Sequence, residues 1–278
     1  MRAEATLPAV AAVAVVAAFQ LLWSRRRRDL GPGPGPTHHH PSALRNRIPI
    51  LKELLALLPT DGTDGASGLA LEVGSGTGAH VEVYAPAFPG LTWRPSEFVP
   101  AVPAAAGEQW SKYGKIGLRE GTDELANIDA HGCSVFKNVL PAVALDLRDA
   151  WDDWPEAVRG AAGQFVLVVC SNTLHITPFE CSEGLFDNAS RALACGGHLV
   201  VYGPFKVAGE FVGADGGAGN LAFDKKLRDT NSAWGIRDLD ELGKLAGAAG
   251  LERILLKDMP ANNLLAVYRK QEPPQGRR

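Results

Sequence analysis

The run Leu69-Ala70-Leu71-Glu72-Val73-Gly74-Ser75-Gly76-Thr77-Gly78 constrains this chain more than any other feature. A short apolar strand ending in alternating glycines makes a tight turn, and the helix expected after it presents free backbone amides to a polar or anionic ligand. Strand, glycine turn and helix in that order open a nucleotide-type α/β fold. The turn alone does not select the ligand, because Gly74-x-Gly76-x-x-Ala79 also satisfies the dinucleotide fingerprint with alanine in the last place.

The rest of the chain alternates in the same way. From Ser42 a helical face recurs at Ile50, Leu51, Leu54, Leu55 and Leu58, and Pro59 stops it. Thr92-Trp93 reads as a second strand, Ala142-Val143-Ala144-Leu145 as a third and residues 164–170 as a buried fourth. A helix with Leu185, Phe186, Ala189 and Leu193 on its apolar face leads to a turn at Gly196-Gly197 and a fifth strand over residues 198–202. Asp238-Leu239-Asp240-Glu241 starts a helix that ends before Gly250, and residues 251–257 and 264–268 read as two more strands. This pattern implies a mainly parallel sheet covered on both faces. The glycine-rich stretch 209–220 reads either as a lid, with Asn220, Phe223, Asp224 and Arg228 placed to close over a substrate, or as an exposed loop before an ordinary helix.

The ends differ in composition. Residues 7–23 are nearly all apolar and Arg25 to Arg28 follow at once, which reads as an anchor or targeting segment over residues 1–30. The positive-inside rule then places the folded domain on the cytosolic face of a membrane; organelle import by a transit peptide and a plain cytoplasmic location are the alternatives. Residues 31–41 form a Gly/Pro/His linker, residues 42–270 the catalytic-type domain and residues 271–278 a tail. His38, His39 and His40 fall in the linker, where consecutive imidazoles lack fixed geometry, so no metal site is expected. The net charge of -3 gives no reason to expect nucleic-acid binding. Cys133, Cys170, Cys181 and Cys195 lack metal-ligand spacing and read as reduced thiols. The sequon at Asn188 falls within a helix on the cytosolic side and is discounted.

In a parallel sheet the ligand sits beyond the carboxyl ends of the strands, so the residues just after each strand carry the chemistry. Glu72 is a carboxylate inside a strand end, where burial requires a partner. The amino group of S-adenosylmethionine supplies a cation there, whereas a dinucleotide pyrophosphate would be repelled. Glu97, after the second strand, suits two ribose hydroxyls, although NAD would use it in the same way. Asp146, after the third, suits the adenine amino group; capping by Arg148 or a helix start is the alternative. His175 and Asn172 follow the fourth strand, facing the expected methyl position. His175 is the candidate general base, Asn172 a cofactor-binding or substrate-orienting group, and Tyr202, at the end of the fifth strand, stands near the acceptor.

Six strings occur in order: the glycine turn, Leu91-Thr92-Trp93-x-Pro95-Ser96, Asn172-x-x-His175-Ile176-x-Pro178, Tyr202-Gly203-Pro204-Phe205, Trp234-Gly235-Ile236-Arg237-Asp238 and Met259-Pro260-Ala261-Asn262-Asn263. Together, over residues 42–269, they resemble the methyltransferase-like 26 family. The resemblance implies a class I methyltransferase fold, a three-layer Rossmann-like sandwich with a seven-stranded, mostly parallel sheet whose last strand is antiparallel. It implies an S-adenosylmethionine site at Glu72, Gly74, Gly76, Gly78, Glu97, Asp146 and Leu147, with Arg45 and Asn46 of the first helix covering the cofactor. Glu97 stands where the family has Asp, and the stretch 107–139 is lengthened. The expected activity is methyl transfer to a small-molecule or protein acceptor. A nicotinamide-dependent oxidoreductase and a non-catalytic scaffold are the competing readings.

Overall fold

The computed structural model describes residues 39–58, 66–99 and 123–272. The apolar segment 7–23, its arginines, the glycine-proline run and part of the lengthened stretch lie outside the described residues. Among the described residues no helix is long and apolar enough to cross a membrane.

The elements run α1 (Pro41–Leu57), β1 (Gly68–Val73), α2 (Val81–Ala87), β2 (Leu91–Glu97), α3 (Glu124–His131), β3 (Val143–Ala144), α4 (Glu156–Arg159), β4 (Phe165–Ser171), α5 (Glu180–Ala192), β5 (Leu193–Gly203), β6 (Phe205–Val207), β7 (Glu210–Phe211), α6 (Ala218–Thr230), β8 (Arg237–Asp238), α7 (Leu239–Ala248), β9 (Leu251–Met259) and β10 (Asn263–Lys270). Seven strands form one sheet in the order β3-β2-β1-β4-β5-β10-β9. β1 pairs in parallel with β2 and β4, and β4 with β5, whereas β10 runs antiparallel to both β5 and β9. The chain winds outward from β1 to β3, then crosses back to β4. That reversal opens a crevice at the carboxyl ends of β1 and β4, where an open α/β sheet binds its ligand.

Side-chain alternation divides the core into two layers. Leu71, Val73, Val168, Cys170, Leu199 and Val201 face α5 and α7. Ala70, Leu167, Val169 and Val200 face α1 and α2 through Ile50, Leu51, Leu54 and Tyr84. Period-two alternation therefore puts Glu72, Ser171 and Tyr202, at the ends of three neighbouring strands, on the α1 face.

Several expectations change. The third strand shrinks to two residues, because only Ser96 and Glu97 pair with it. Gly196-Gly197 is not a turn ahead of the strand but a bulge within it: Phe165 pairs with Leu193 and Leu167 with His198, with Gly196 at φ +78° between them. The end of the linker is structured, since the His40 ring accepts from Ser42 N at 3.2 Å and caps α1. Residues 209–220 are not a free lid. β6, β7 and β8 make a separate three-stranded sheet, and Asn220 Nδ2 donates to Val212 O and Asn262 O at 2.8 and 2.9 Å. Asn188 is buried and donates to Asp149 O at 3.0 Å. All four cysteines are free thiols.

Candidate functional site

Gly74, Gly76 and Gly78 all adopt left-handed backbone, with φ of +71°, +58° and +80°. A Cβ on Gly74 would also lie 2.5 Å from Thr173 Oγ1, whereas one on Gly76 would meet nothing within 4 Å. Gly74 is thus fixed by the protein around it, and Gly76 leaves open space for an approaching ligand. The turn is laced to the end of β2. Gly76 N donates to Glu97 Oε2 at 2.6 Å, Phe98 N to Glu97 Oε1 at 2.9 Å, and Ser96 Oγ to Glu72 O at 2.8 Å. Loss of hydration pushes the Glu97 carboxyl up to about 7, outweighing the two amide bonds, and the charge of Glu72 adds to the rise.

Beside this turn lies a cleft with about 390 Å³ of empty space, solvent included, lined by Gly74, Glu97, Asp146, Leu147, Thr173 and Cys181 among others. Asp146 accepts from Arg148 N at 2.9 Å, Nε at 3.0 Å and Nη2 at 2.5 Å. Burial pushes the Asp146 carboxyl up, but these bonds outweigh it and hold it below the ordinary range. The capping alternative is therefore realised, with Asp146 still on the cleft wall. Gly184 of α5 escaped the sequence reading: a Cβ there would lie 1.8 Å from Leu147 O, so the helix backbone packs directly on the loop that carries Asp146 and Leu147. A glycine in a mid-helix pattern was the available signal.

On the α1 face, polar groups are buried without partners. Among the described residues neither oxygen of Glu72 accepts a hydrogen bond and Asn46 Oδ1 accepts none, whereas the Tyr84 hydroxyl has the Ser171 side chain beside it and the Tyr202 hydroxyl has Asn263. His80 Nδ1 lies 3.2 Å from Glu72 Oε1 without hydrogen-bond geometry, and its ring stacks on Tyr84 at 5.7 Å. Burial raises the Tyr84 hydroxyl well above its ordinary value, and the nearby Glu72 charge raises it further. Sequence reasoning missed both His80 and Tyr84. Arg45 is exposed on α1, yet its positive charge acts on the Tyr202 hydroxyl.

At the end of β4, Asn172 takes a left-handed backbone at φ +56°, and its amide donates to Tyr202 O at 2.8 Å. His175 follows in a 3₁₀ turn (Leu174–Ile176) and sits edge-on to Phe223 at 5.5 Å. A Cβ on Gly203 would lie 3.5 Å from His175 Nδ1 and 3.8 Å from Asn172 Oδ1, so both side chains stand beside this glycine at ordinary contact distance. Burial, then the charge of Arg237, lowers the His175 imidazole to about 4, which leaves it neutral at physiological pH. Burial pushes Tyr202 up to about 12, making it a neutral donor and not a base. Arg237, which the sequence reading did not single out as a site residue, is buried and donates to Leu174 O at 3.1 Å and to Thr177 O, clamping the turn that carries His175.

The fold agrees with comparisons to known proteins. The chain is similar to an O-methyltransferase family protein from Burkholderia thailandensis, at 13% identity and TM-score 0.57 over 83% of this chain and 58% of that one. It is similar to an O-methyltransferase family 2 protein from Planctomyces limnophilus solved with apigenin, at 17% and 0.52 over 82% and 61%. A Bacillus halodurans protein described as a candidate methyltransferase matches at 13% and 0.53 over 80% of this chain and 99% of that one. These likenesses establish a class I methyltransferase fold. The chain spans 57–59% of the length of the first three structures it matches. Residues 37–270 match the model of a family described as a protein of unknown function, DUF938. That span takes in the whole sheet, the glycine turn and every strand end discussed above, and the chain belongs to this family.

Proposed function

We propose that this protein is an S-adenosylmethionine-dependent methyltransferase. The observation that carries the reading is Glu72, a buried carboxylate beside the glycine turn with no hydrogen bond to either oxygen. His80 Nδ1 stands 3.2 Å from one oxygen without making a hydrogen bond; a buried carboxylate left short of hydrogen bonds costs several kcal/mol, and a ligand ammonium with its three donors supplies them. A dinucleotide would bring phosphate charge to the same carboxylate. Glu97 has oxygen lone pairs left for ribose hydroxyls beyond its two amide bonds, and Asp146 and Leu147 line the continuation of the cleft for an adenine ring. The residues present therefore fit the cofactor.

When bound, the sulfonium supplies an electrophilic methyl group, and the protein's work is orientation and proton removal. Neutral His175 accepts the proton of an oxygen or nitrogen nucleophile, and Asn172 and Tyr202 hold the acceptor beside it. Arg237 fixes the turn from which His175 projects. The acceptor is a small molecule or a protein side chain. We further infer membership of the methyltransferase-like 26 family, supported by six ordered strings over residues 42–269, nearly the span of the family match.

Titration calorimetry with S-adenosylmethionine, S-adenosylhomocysteine and NADH in separate runs tests the cofactor. Binding of the first two but not NADH is expected; NADH binding alone would sink the reading in favour of an oxidoreductase. An untargeted screen for methylated products, wild type against Gly76→Arg, tests turnover. Cofactor binding with no product, and cellular function untouched by Glu97→Ala, would instead mark a scaffold. Attachment through residues 7–23 is checked by carbonate extraction of the full chain against one lacking residues 1–28; equal release of both rules it out.

A further inference from the structure

A second cluster of chemistry-bearing side chains lies behind the glycine turn, away from the cleft. His39 precedes α1, Glu82 is in the first turn of α2 and His131 is the last residue of α3, and one ligand atom from each lies within 4.8 Å of the others. Their side chains are 5%, 5% and 17% exposed. We propose that His39 Nε2, Glu82 Oε1 and His131 Nδ1 bind a divalent transition-metal ion, Zn²⁺ by the chemistry of the set, which pins the segment before α1 and the end of α3 to the glycine turn.

Two donors that each sit about 2.0–2.1 Å from a tetrahedral ion are about 3.3 Å apart. His39 Nε2 and Glu82 Oε1 are already 3.3 Å apart; His131 Nδ1, hydrogen-bonded to the same oxygen at 2.6 Å, needs to withdraw by roughly 0.7 Å on that geometry. The outer shell is built. His39 Nδ1 shares a hydrogen bond with Thr77 Oγ1 at 2.7 Å, which orients the ring and turns Nε2 toward the carboxylate. Arg47 Nη1 donates to Glu82 Oε2 at 3.0 Å, leaving Oε1 to face both imidazoles. When His39 Nδ1–H donates to Thr77, the Nε2 lone pair confronts the oxygen lone pairs of Glu82, a repulsion that a cation between them removes. Two imidazoles and one carboxylate suit zinc better than magnesium or calcium, which prefer all-oxygen shells.

The placement gives the metal a structural role. Thr77 belongs to the glycine turn, and its carbonyl accepts from Asn127 Nδ2 of α3 at 3.2 Å. The linker histidines therefore include one with the fixed geometry that their sequence context did not lead us to expect.

The test uses the full chain purified with a histidine-free tag. Zn²⁺ titrated against a chromogenic chelator should bind at one equivalent, and Co²⁺ should give a visible d–d band. Glu82→Gln and His131→Gln are each expected to weaken Zn²⁺ at least tenfold, and Thr77→Val about tenfold by removing the outer-shell bond. The double variant His38→Gln/His40→Gln should bind as wild type does. Equal affinity in wild type and His131→Gln would overturn the proposal, because the histidine run alone would then be the ligand. No Zn²⁺ binding by wild type would also overturn it, leaving a hydrogen-bonded triad. Should the variants not fold, X-ray absorption on the wild-type Zn²⁺ complex decides: a nitrogen and oxygen shell with two imidazoles is expected, and sulfur in the shell would refute the assignment.

Discussion

The carboxyl ends of β1, β4 and β5 and the small sheet of β6, β7 and β8 both bury polar side chains, and they treat them in opposite ways. Around the small sheet three such groups, Asp224, Asp238 and Arg237, are matched. Asp224 accepts from Ile236 N at 2.6 Å and Arg228 Nε at 2.8 Å, Asp238 accepts from Gly209 N at 2.6 Å and Asp240 N at 2.8 Å, and Arg237 spends its donors on backbone carbonyls. Among the described residues neither oxygen of Glu72, at the end of β1, accepts a hydrogen bond, and nor does Asn46 Oδ1 on α1. Buried polar groups are almost always satisfied, and on the proposed reading the cofactor completes Glu72. Arg237 of the matched network clamps the turn that carries His175.

This contrast is open to experiment. The largest effect is expected on the cleft wall: Gly184→Ala drives a methyl into the Leu147 carbonyl, and chemical denaturation should show a loss of about 3 kcal/mol or more. A stability unchanged within error would mean that α5 does not pack on the loop carrying Asp146 and Leu147 as described. Next, Glu72→Gln should weaken S-adenosylmethionine about 100-fold, roughly 2.7 kcal/mol, while leaving the melting temperature of the free protein level or higher. A clear drop in stability instead would move Glu72 into the matched class. Asp224→Ala should do the reverse, removing about 2 kcal/mol of stability by stranding Ile236 N, with cofactor affinity in the folded protein unchanged.

Two pH effects are smaller. The folded Glu97 value of about 7 lies above the ordinary 4.5, so its contribution to the ligand-free fold is present below pH 4.5 and lost as pH rises through 7. Ribose hydroxyls favour the charged form, so cofactor affinity should rise by about tenfold from pH 6 to pH 8. Calorimetry across that range checks the slope, which Glu97→Gln should flatten. His175 has the opposite sign: its folded value of about 4 lies below the ordinary 6.5, so its contribution is full above pH 6.5 and fades as pH falls toward 4. Acid unfolding of His175→Gln should lack that step.

Much of the frame could be read before any coordinates. The apolar run Val166 to Cys170 lies within β4, Asp238 caps α7 as its spacing suggested, and β10 is the antiparallel strand that the resemblance implied. These are local or pattern features, set by period and by residues that start or stop a helix. The two-residue β3 and the bulge at Gly196 were misjudged because pairing length depends on the neighbouring strand, not on the apolar run itself. The small sheet was missed because its strands are two or three residues long, too short for alternation to show.

The sequence by itself determined the chain order of the main sheet's strands, the glycine turn and the presence of carboxylates at three strand ends, since backbone geometry and side-chain period are properties of short stretches. Only the tertiary structure decided what those carboxylates do. Asp146 is tied to Arg148, Glu97 to two amides, Glu72 has His80 Nδ1 at 3.2 Å but accepts no hydrogen bond, and His39 meets Glu82 and His131 from positions 43 and 92 residues away. Whether a buried charge is matched depends on which distant donors folding brings within about 3 Å, and no local pattern encodes that.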